Sequence, residues 1–155
     1  VEYYTFIRPE ELRHIKVGDI SVTRQCITIP AEVSKNRREQ SVALNDTLLR
    51  EMIDQGIFSH PSQDYLFGKD LTPGSQQIAV NRFRQQWVRV RKSLGFPLSY
   101  QFYSLKDSGI RDLANAEGIV VARDQARHSD ISVTNKYLKC PNVAHDTTKH
   151  FVGEL

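Results

Sequence analysis

Side chains that could bind and act on an anion are concentrated between residues 103 and 137. Tyr103 and Lys106 stand at the start of a predicted helix, where the positive end of the helix dipole disfavours a cation unless an anion binds nearby. Arg127 and His128 stand at the boundary of a second predicted helix, and Tyr137 follows nine residues after the histidine. Residues that contradict the ordinary preferences of their secondary structure, such as a cation at a helix start, tend to occur at functional sites. This stretch therefore predicts a site for an anion such as phosphate.

Composition excludes several other kinds of chemistry. The 155 residues are 39% hydrophobic and 25% charged, which is typical of one globular domain with its own core. No apolar run approaches the ~18 residues of a membrane span, so no membrane partner is expected. Cys26 and Cys140 lie far apart without a CxxC motif, which indicates a reducing compartment. The histidines are scattered, and no HExxH motif or Gly-rich phosphate loop occurs, so we expect no metal, ATP or other cofactor.

The charge is unevenly distributed along the chain. Residues 1–75 carry 9 Lys and Arg against 11 Asp and Glu, whereas residues 76–155 carry 12 against 7. The basic half is the candidate face for nucleic acid or phosphate. An ordinary solvated surface explains the charge alone equally well.

The pattern of apolar residues predicts a mixed α+β fold, mainly helical, with a small antiparallel three-stranded sheet near the N-terminus. Residues 1–16 are predicted to be helical around Pro9, with Arg8 at a helix junction because a residue before proline avoids α geometry. Alternating apolar residues on both sides of the polar turn at Thr23–Gln25 predict a hairpin, and Gln40–Leu44 predicts a third strand.

Helices are predicted at 46–55, 75–94, 104–116, 119–126 and from 129 or 130 to 138. The clearest of them, 75–94, has an apolar stripe that we expect to lie in the core. The stripe consists of Val80, Phe83, Trp87, Val90 and Leu94. The last 17 residues are weakly patterned, and we expect them to extend and pack against a neighbouring molecule.

Six residues, taken in chain order, resemble the catalytic array of the tyrosine recombinase (phage integrase) family. They are Arg8, Lys35, Tyr103, Lys106, His128 and Tyr137. Arg8-Pro-Glu-Glu-Leu, followed by Asp19-Ile20, resembles the family's R-x-x-E-L box. Lys35 stands where the family has its hairpin lysine, and Ala-Arg-His128-Ser resembles the L-G-H-S box. We call these six residues the candidate array, and the resemblance covers nearly the whole chain.

Three positions depart from the family pattern. Tyr103 and Lys106 replace the usual H-x-x-R pair, and Arg127 stands where glycine is common. Lysine keeps the positive charge but loses the bidentate fork of arginine, and tyrosine cannot titrate near neutral pH as histidine does. The sequence therefore resembles a divergent branch with a substituted site. For Tyr103, a plain packing role remains the alternative.

The resemblance implies that Tyr137 attacks a DNA phosphodiester and forms a 3′-phosphotyrosyl intermediate, which stores the bond energy without metal or ATP. It also implies that Arg8 and Lys106 neutralise the transition state and that Lys35 acts as general acid. Lys35 lies in a polar loop that is otherwise typical of a solvated turn.

The remaining members of the candidate array are implied to assist. Tyr103 and His128 would donate hydrogen bonds to the phosphate, and His128 is a possible acceptor for the nucleophile's proton. Glu11 is expected to brace Arg8 rather than to take part in catalysis.

The resemblance also implies a biological setting. Residues 1–155 are expected to be one catalytic domain, the C-terminal part of a longer integrase whose N-terminal DNA-binding domain is absent from this sequence. Double-stranded DNA is the expected partner, bound by a homotetramer, with the isolated domain monomeric. We expect a mobile-element enzyme in the bacterial cytoplasm, at the nucleoid. A type IB topoisomerase and a DNA-binding relic without cleavage activity are the alternatives.

Overall fold

A small antiparallel sheet lies in the N-terminal half of the chain. In the computed structural model, which describes residues 1–138, its strands are β1 (Ile20–Ser21), β2 (Cys26–Ile29) and β3 (Gln40–Ala43). β2 is the central strand, and its Ile27 pairs with Ile20 on one side and with Val42 on the other. These three side chains are buried on one face, as the alternation of side chains along a strand requires. The predicted hairpin and third strand are therefore confirmed.

Seven α-helices accompany the sheet within residues 1–138, so the predicted fold class, mainly helical with one small sheet, is also confirmed. They are α1 (Glu2–Thr5), α2 (Pro9–Leu12), α3 (Asp46–Asp54), α4 (Arg82–Ser93), α5 (Ser104–Glu117), α6 (Ile119–Gln125) and α7 (Ile131–Asn135). None of the helices in this part of the chain is both long and apolar enough to cross a membrane. The expectation for residues 139–155 lies outside the described residues.

The N-terminal helical stretch is divided into two short helices around Arg8. Phe6 adopts a left-handed conformation with φ of 55° and ends α1. Arg8 is extended, with φ of −66° and ψ of 147°, because Pro9 follows it and opens α2. The break leaves Arg8 between two short helices, which is the junction that the sequence predicted.

The main core lies between the sheet, α2 and α3. Asn45 caps α3, and its side-chain oxygen accepts a hydrogen bond from the Leu48 amide at 3.1 Å. Leu48, Leu49 and Met52 then fall on one face of the helix and are buried against the sheet residues and Ile57.

The prediction for residues 75–94 was wrong in its start and in its core stripe. The helix begins only at Arg82, because Gln77 pairs with Gly68 and the Ile78 amide donates to the Phe67 carbonyl oxygen. Those residues are extended and cannot join the helix.

The apolar stripe of α4 is therefore only partly buried. Phe83 lies in the core at 7% exposure, and Trp87 is half-buried, with its ring nitrogen donating to the Tyr100 carbonyl oxygen at 2.9 Å. Val80 and Leu94 are exposed at 65% and 59%. Helical periodicity reports which side chains share a face, but not whether another element covers that face.

A second, smaller core joins α1 to α5 and α6. It consists of Phe6, Ile110, Ala122 and Ala126, all nearly inaccessible to solvent. Gly109 lies where α5 approaches α1 most closely, so that a methyl group there would lie 2.6 Å from Cε1 of Phe6 and would also clash with the Tyr3 carbonyl oxygen.

The side chain of Gln125, at the end of α6, fastens this helical layer to the sheet. Its amide oxygen accepts from the Ala43 amide at 3.0 Å, and its amide nitrogen donates to the Ala43 carbonyl oxygen at 2.9 Å and to the Tyr4 carbonyl oxygen at 3.1 Å. One side chain therefore joins α6, the outer edge of β3 and α1.

We predict that Gly109→Ala destabilises the protein by about 1–3 kcal/mol or more, because α1 must move away from α5 to admit the methyl group. Urea unfolding followed by circular dichroism measures the change. Gly74→Ala is the matched control, since a methyl group there meets no atom within 4 Å. Equal stability of the two variants would contradict the close packing of α1 on α5.

Candidate active site

Arg8 is fixed at the junction of α1 and α2. Both its backbone amide, at 3.1 Å, and its guanidinium Nη1, at 3.2 Å, donate to the Glu11 carboxylate one turn later. The Arg8 side chain remains 23% exposed, so it is not fully enclosed by the fold. This is the bracing role expected of Glu11.

Glu11 has a second partner that the sequence reasoning missed. Arg127 donates from Nη2 to Oε2 at 2.6 Å and from Nη1 to Oε1 at 3.2 Å, and both side chains are almost fully buried. Arg127 adopts a left-handed conformation with φ of 57°, just beyond the end of α6. Burial alone would raise the pKa of Glu11, but the hydrogen bonds and charge of Arg127 outweigh it and hold this pKa at about 2.

The same carboxylate also holds the loop between β2 and β3. The Lys35 amide donates to Oε1 of Glu11 at 3.1 Å, while the Lys35 side chain is exposed at the surface. The structure thus places the backbone of Lys35 beside Glu11, whereas the exposed Lys35 side chain is not held at the site by this contact. Its predicted role as general acid stays a prediction.

Lys106 lies in the first turn of α5 and is completely buried. Its ammonium nitrogen has no hydrogen-bond partner among residues 1–138. Burial, followed by the nearby charges of Arg8 and Arg127, lowers the pKa of Lys106 to about 8, although the charges of Glu11 and Glu2 oppose the shift. A buried, unpaired ammonium is costly, and a bound anion would supply the missing partner.

Two carboxyl groups lie near Lys106 that sequence reasoning did not single out as functional. Burial raises the pKa of Glu2 to about 8, and neither of its carboxylate oxygens has a hydrogen-bond partner in the described part of the chain. Burial likewise raises the pKa of Asp107. Glu2 has no local sequence signal, because only the packing of α1 on α5 brings it near Lys106.

His128, just before α7, and Tyr137, just after it, face each other. Their rings are stacked, with centroids 6.0 Å apart and planes inclined by 14°, and Nδ1 of His128 is hydrogen-bonded to Oγ1 of Thr134 at 2.9 Å. Burial, followed by the charges of Lys106 and Arg8, lowers the pKa of His128 to about 4. His128 is therefore neutral at pH 7, and the tautomer decides whether its free nitrogen donates or accepts a proton.

The two tyrosines of the candidate array are close neighbours. Burial raises the pKa of Tyr137, and so do the nearby Tyr103 phenol and the Asp107 carboxylate. Burial also raises the pKa of Tyr103, whose ring lies 5.6 Å from the Lys106 ammonium. Both phenols are therefore protonated at pH 7, and an attack by Tyr137 requires a proton acceptor.

The geometry thus brings Arg8, Tyr103, Lys106, His128 and Tyr137 into one neighbourhood, with the backbone of the Lys35 loop beside it. An open cavity of about 580 Å³ adjoins this region. Its lining includes Arg38, Gln40, Arg127, His128 and Ser129. Cations gathered around a tyrosine and a neutral histidine could bind a phosphodiester and transfer it to the phenol.

Comparison with known proteins agrees with the fold. The model of the "Phage integrase family" matches residues 1–142, and the chain belongs to this family of tyrosine recombinases. No curated protein sequence matches the chain.

Solved structures show the same fold. The crystal structure of XerA recombinase has a TM-score of 0.73 at 16% identity, covering 90% of this chain and 51% of that one. The Tn1549 transposon integrase bound to a circular intermediate DNA has a TM-score of 0.73 at 14% identity, covering 96% and 54%. A lambda integrase dimer bound to a COC′ core site has a TM-score of 0.63 at 17% identity, covering 88% and 48%. The chain therefore spans about half the length of these structures.

We predict that Glu11→Gln destabilises the protein by about 3 kcal/mol at pH 7, because it leaves Arg127 buried without a counter-charge. Since the folded-state pKa of Glu11 is about 2 and its ordinary value is 4.5, the stabilisation is present above about pH 4.5 and is lost as the pH falls towards 2. The difference in unfolding free energy between wild type and variant should shrink across that range in urea titrations.

Glu10→Gln is the matched control for this measurement. Glu10 is 66% exposed, and its ion pair with Arg13 should contribute less than about 1 kcal/mol. If Glu11→Gln and Glu10→Gln had the same effect at pH 7, the buried pair would not stabilise the fold.

Proposed function

We propose that the protein is a site-specific DNA recombinase or integrase that cuts and rejoins double-stranded DNA through a 3′-phosphotyrosyl intermediate. The observation that carries the proposal is the gathering of Arg8, buried Lys106 and neutral His128 around Tyr137. Membership of the phage integrase family supports the same reaction class. Neighbours of the same fold are described as bound to DNA, which supports DNA as the substrate.

In the proposed reaction, the Tyr137 oxygen bonds to phosphorus and the bond from phosphorus to the 5′-oxygen breaks. The phenol proton passes to neutral His128, or to water beside it, and Lys35 protonates the departing 5′-oxygen as general acid. The covalent phosphotyrosine conserves the energy of the broken bond, so a second 5′-hydroxyl can reverse the step. The residues require no metal or ATP for these steps.

The remaining members stabilise the transition state. Arg8 and Lys106 neutralise the charge that develops on the non-bridging phosphate oxygens, while Tyr103 donates a hydrogen bond and His128 donates one when it carries the phenol proton. Removing one such contact from a preorganised site typically costs ~3 kcal/mol, or about two orders of magnitude in rate.

The biological setting is part of the proposal. Residues 1–155 act as the catalytic domain of a mobile-element enzyme that works as a homotetramer on DNA in the bacterial cytoplasm. Because the matched region is about half of each structural neighbour, the activity of the whole protein also belongs to the proposal.

The second candidate is a DNA-binding protein that no longer cleaves DNA. The observation that favours it is the complete burial of Lys106, whose ammonium must become accessible before it can touch a phosphate. Covalent capture distinguishes the two candidates.

We predict that the full-length protein forms a covalent adduct with a nicked suicide DNA substrate and that Tyr137→Phe abolishes it, because phenylalanine has no nucleophilic oxygen. Denaturing gels detect the adduct, and peptide mapping locates it. Tyr100→Phe is the control, since Tyr100 is 51% exposed and outside the candidate array, and it should keep full adduct formation. Wild-type protein that binds DNA without any adduct would establish the second candidate.

We predict that kcat/KM for adduct formation is nearly constant between about pH 5 and pH 7 and falls above about pH 8. His128, with a pKa of about 4, stays neutral over the lower range, while Lys106 loses its positive charge above its pKa of about 8. Single-turnover rates measured from pH 5 to pH 9 test both the constant region and the decline.

Glu2→Gln is the control for the upper limb, because Glu2 also titrates near pH 8 beside Lys106. Besides Glu2, the charged groups near Lys106 are Arg8, Glu11, Asp107 and Arg127. A decline above pH 8 that remains in Glu2→Gln does not come from Glu2, and its loss in Lys106→Arg, whose guanidinium stays charged, assigns it to Lys106. A rate that rises steadily through pH 9 would contradict phosphate binding by the charged lysine.

A further inference from the structure

Tyr103 and Lys106 form a local pair at the start of α5. They are three residues apart, so their side chains lie on the same side of the first helical turn. The Lys106 ammonium is 5.6 Å from the centroid of the Tyr103 ring, within the range of a cation–π interaction. The ring is the aromatic partner of a cation that has no hydrogen bond among residues 1–138.

The two residues differ strongly in exposure. Lys106 has no accessible surface, whereas Tyr103 is 39% exposed. The partly exposed ring thus lies beside a completely buried ammonium. A phosphate oxygen can reach the ammonium only after the groups that bury it have moved.

We propose that Tyr103 is a positioning residue for Lys106, whose ring holds and covers the ammonium in the free protein and rotates outward when a DNA phosphate binds. This inference rests on the proposed function for the identity of the anion. It also explains the two departures from the family pattern as one unit, since a histidine ring offers a poorer π face to a lysine than a tyrosine ring does.

The exchange of partners is favourable in principle. Outward rotation breaks a cation–π contact, and phosphate then accepts a charge-assisted hydrogen bond from the ammonium, which is the stronger interaction. Free protein therefore avoids presenting an unpaired cation to solvent anions, and the cation becomes available only to a ligand that can displace the ring. This role needs the ring of Tyr103 and is separate from any hydrogen bond that its hydroxyl group donates.

Chemical labelling of lysine tests the cover directly in the full-length protein without DNA. Reductive methylation followed by peptide mass spectrometry gives the labelling rate of Lys106 in wild type, Tyr103→Phe and Tyr103→Leu. We expect Tyr103→Phe to label at the wild-type rate, because it keeps the ring, and Tyr103→Leu to label at least about tenfold faster. Exposed Lys69 is the internal reference and should label equally in all three.

An unchanged Lys106 labelling rate in Tyr103→Leu would overturn the inference. Circular dichroism melting of each variant identifies a general loss of folding, and a Tyr103→Trp variant, which restores an aromatic face, should return the labelling rate to the wild-type value. Fast labelling of Lys106 in Tyr103→Trp would also contradict the claim that an aromatic ring at position 103 covers the ammonium.

The rate of adduct formation separates the ring from the hydroxyl group. Tyr103→Phe lacks only the hydroxyl, so its rate shows what that group contributes, and Tyr103→Leu should be slower than Tyr103→Phe by a further factor of about ten. Equal rates in the two variants would show that only the hydroxyl group of Tyr103 contributes to the rate, and would overturn the positioning role of the ring.

The rotation has its own readout. In protein labelled with 3-fluorotyrosine, the resonance that disappears in Tyr103→Phe belongs to Tyr103, and its solvent isotope shift should increase when a short duplex DNA is added. An unchanged resonance at saturating DNA would overturn the outward rotation.

The outcomes keep the inference apart from the proposed function. Ring-dependent labelling without any covalent adduct would support the pairing of Tyr103 with Lys106 and would refute DNA cleavage. An adduct at Tyr137, combined with ring-independent labelling, would support cleavage and refute the pairing.

Discussion

The buried ion pair between Glu11 and Arg127 is the interaction on which the site depends. It joins residues 116 positions apart, and so it ties α2 to the turn between α6 and α7. A buried pair stabilises a fold only when its geometry is good and its remaining polar atoms are satisfied. The two parallel hydrogen bonds, together with those that Glu11 accepts from Arg8 and the Lys35 amide, meet most of that requirement. Of the buried side-chain nitrogen and oxygen atoms of Glu11 and Arg127, only Nε of Arg127 has no hydrogen-bond partner within residues 1–138.

The local surplus of positive charge follows from this arrangement. The Glu11 carboxylate contacts both Arg8 and Arg127. The charges of these two arginines also act on the Lys106 ammonium, which has no hydrogen bond among residues 1–138. Burial is the largest cause of the lowered pKa values of Lys106 and His128, and the surplus of positive charge lowers both of them further. A site that binds an anion is expected to be electrostatically unsatisfied without one, since donors that are already paired cannot stabilise a developing charge.

The sequence predicted the backbone near the site better than the surroundings of its side chains. Pro9 fixed the extended conformation of Arg8 through a purely local steric effect, and Gly118 marked the end of α5 with φ of 94°. The burial of Lys106 was not predictable, because a lysine in a first helical turn is normally solvated and tertiary packing has no local sequence signal.

Pairings over long distances were also beyond the sequence. The partnership of Arg127 with Glu11 has no local signature, although an arginine at a left-handed position where glycine is common was already unusual. The prediction that the apolar stripe of α4 is buried failed for a related reason. The helical period was correct, but the residues before Arg82 pair with residues 67–68, and no described element covers Leu94.

The Gln125 side chain has a consequence for assembly. Its amide group satisfies both the N–H and the C=O of Ala43 on the outer edge of β3, as a neighbouring strand would. An open strand edge is a template for pairing with another polypeptide. At Ala43 that template is already occupied from within the molecule, so any strand that extended this sheet would have to displace the end of α6 or stop short of it. The sheet is thus limited to three strands at this point by a single amide side chain.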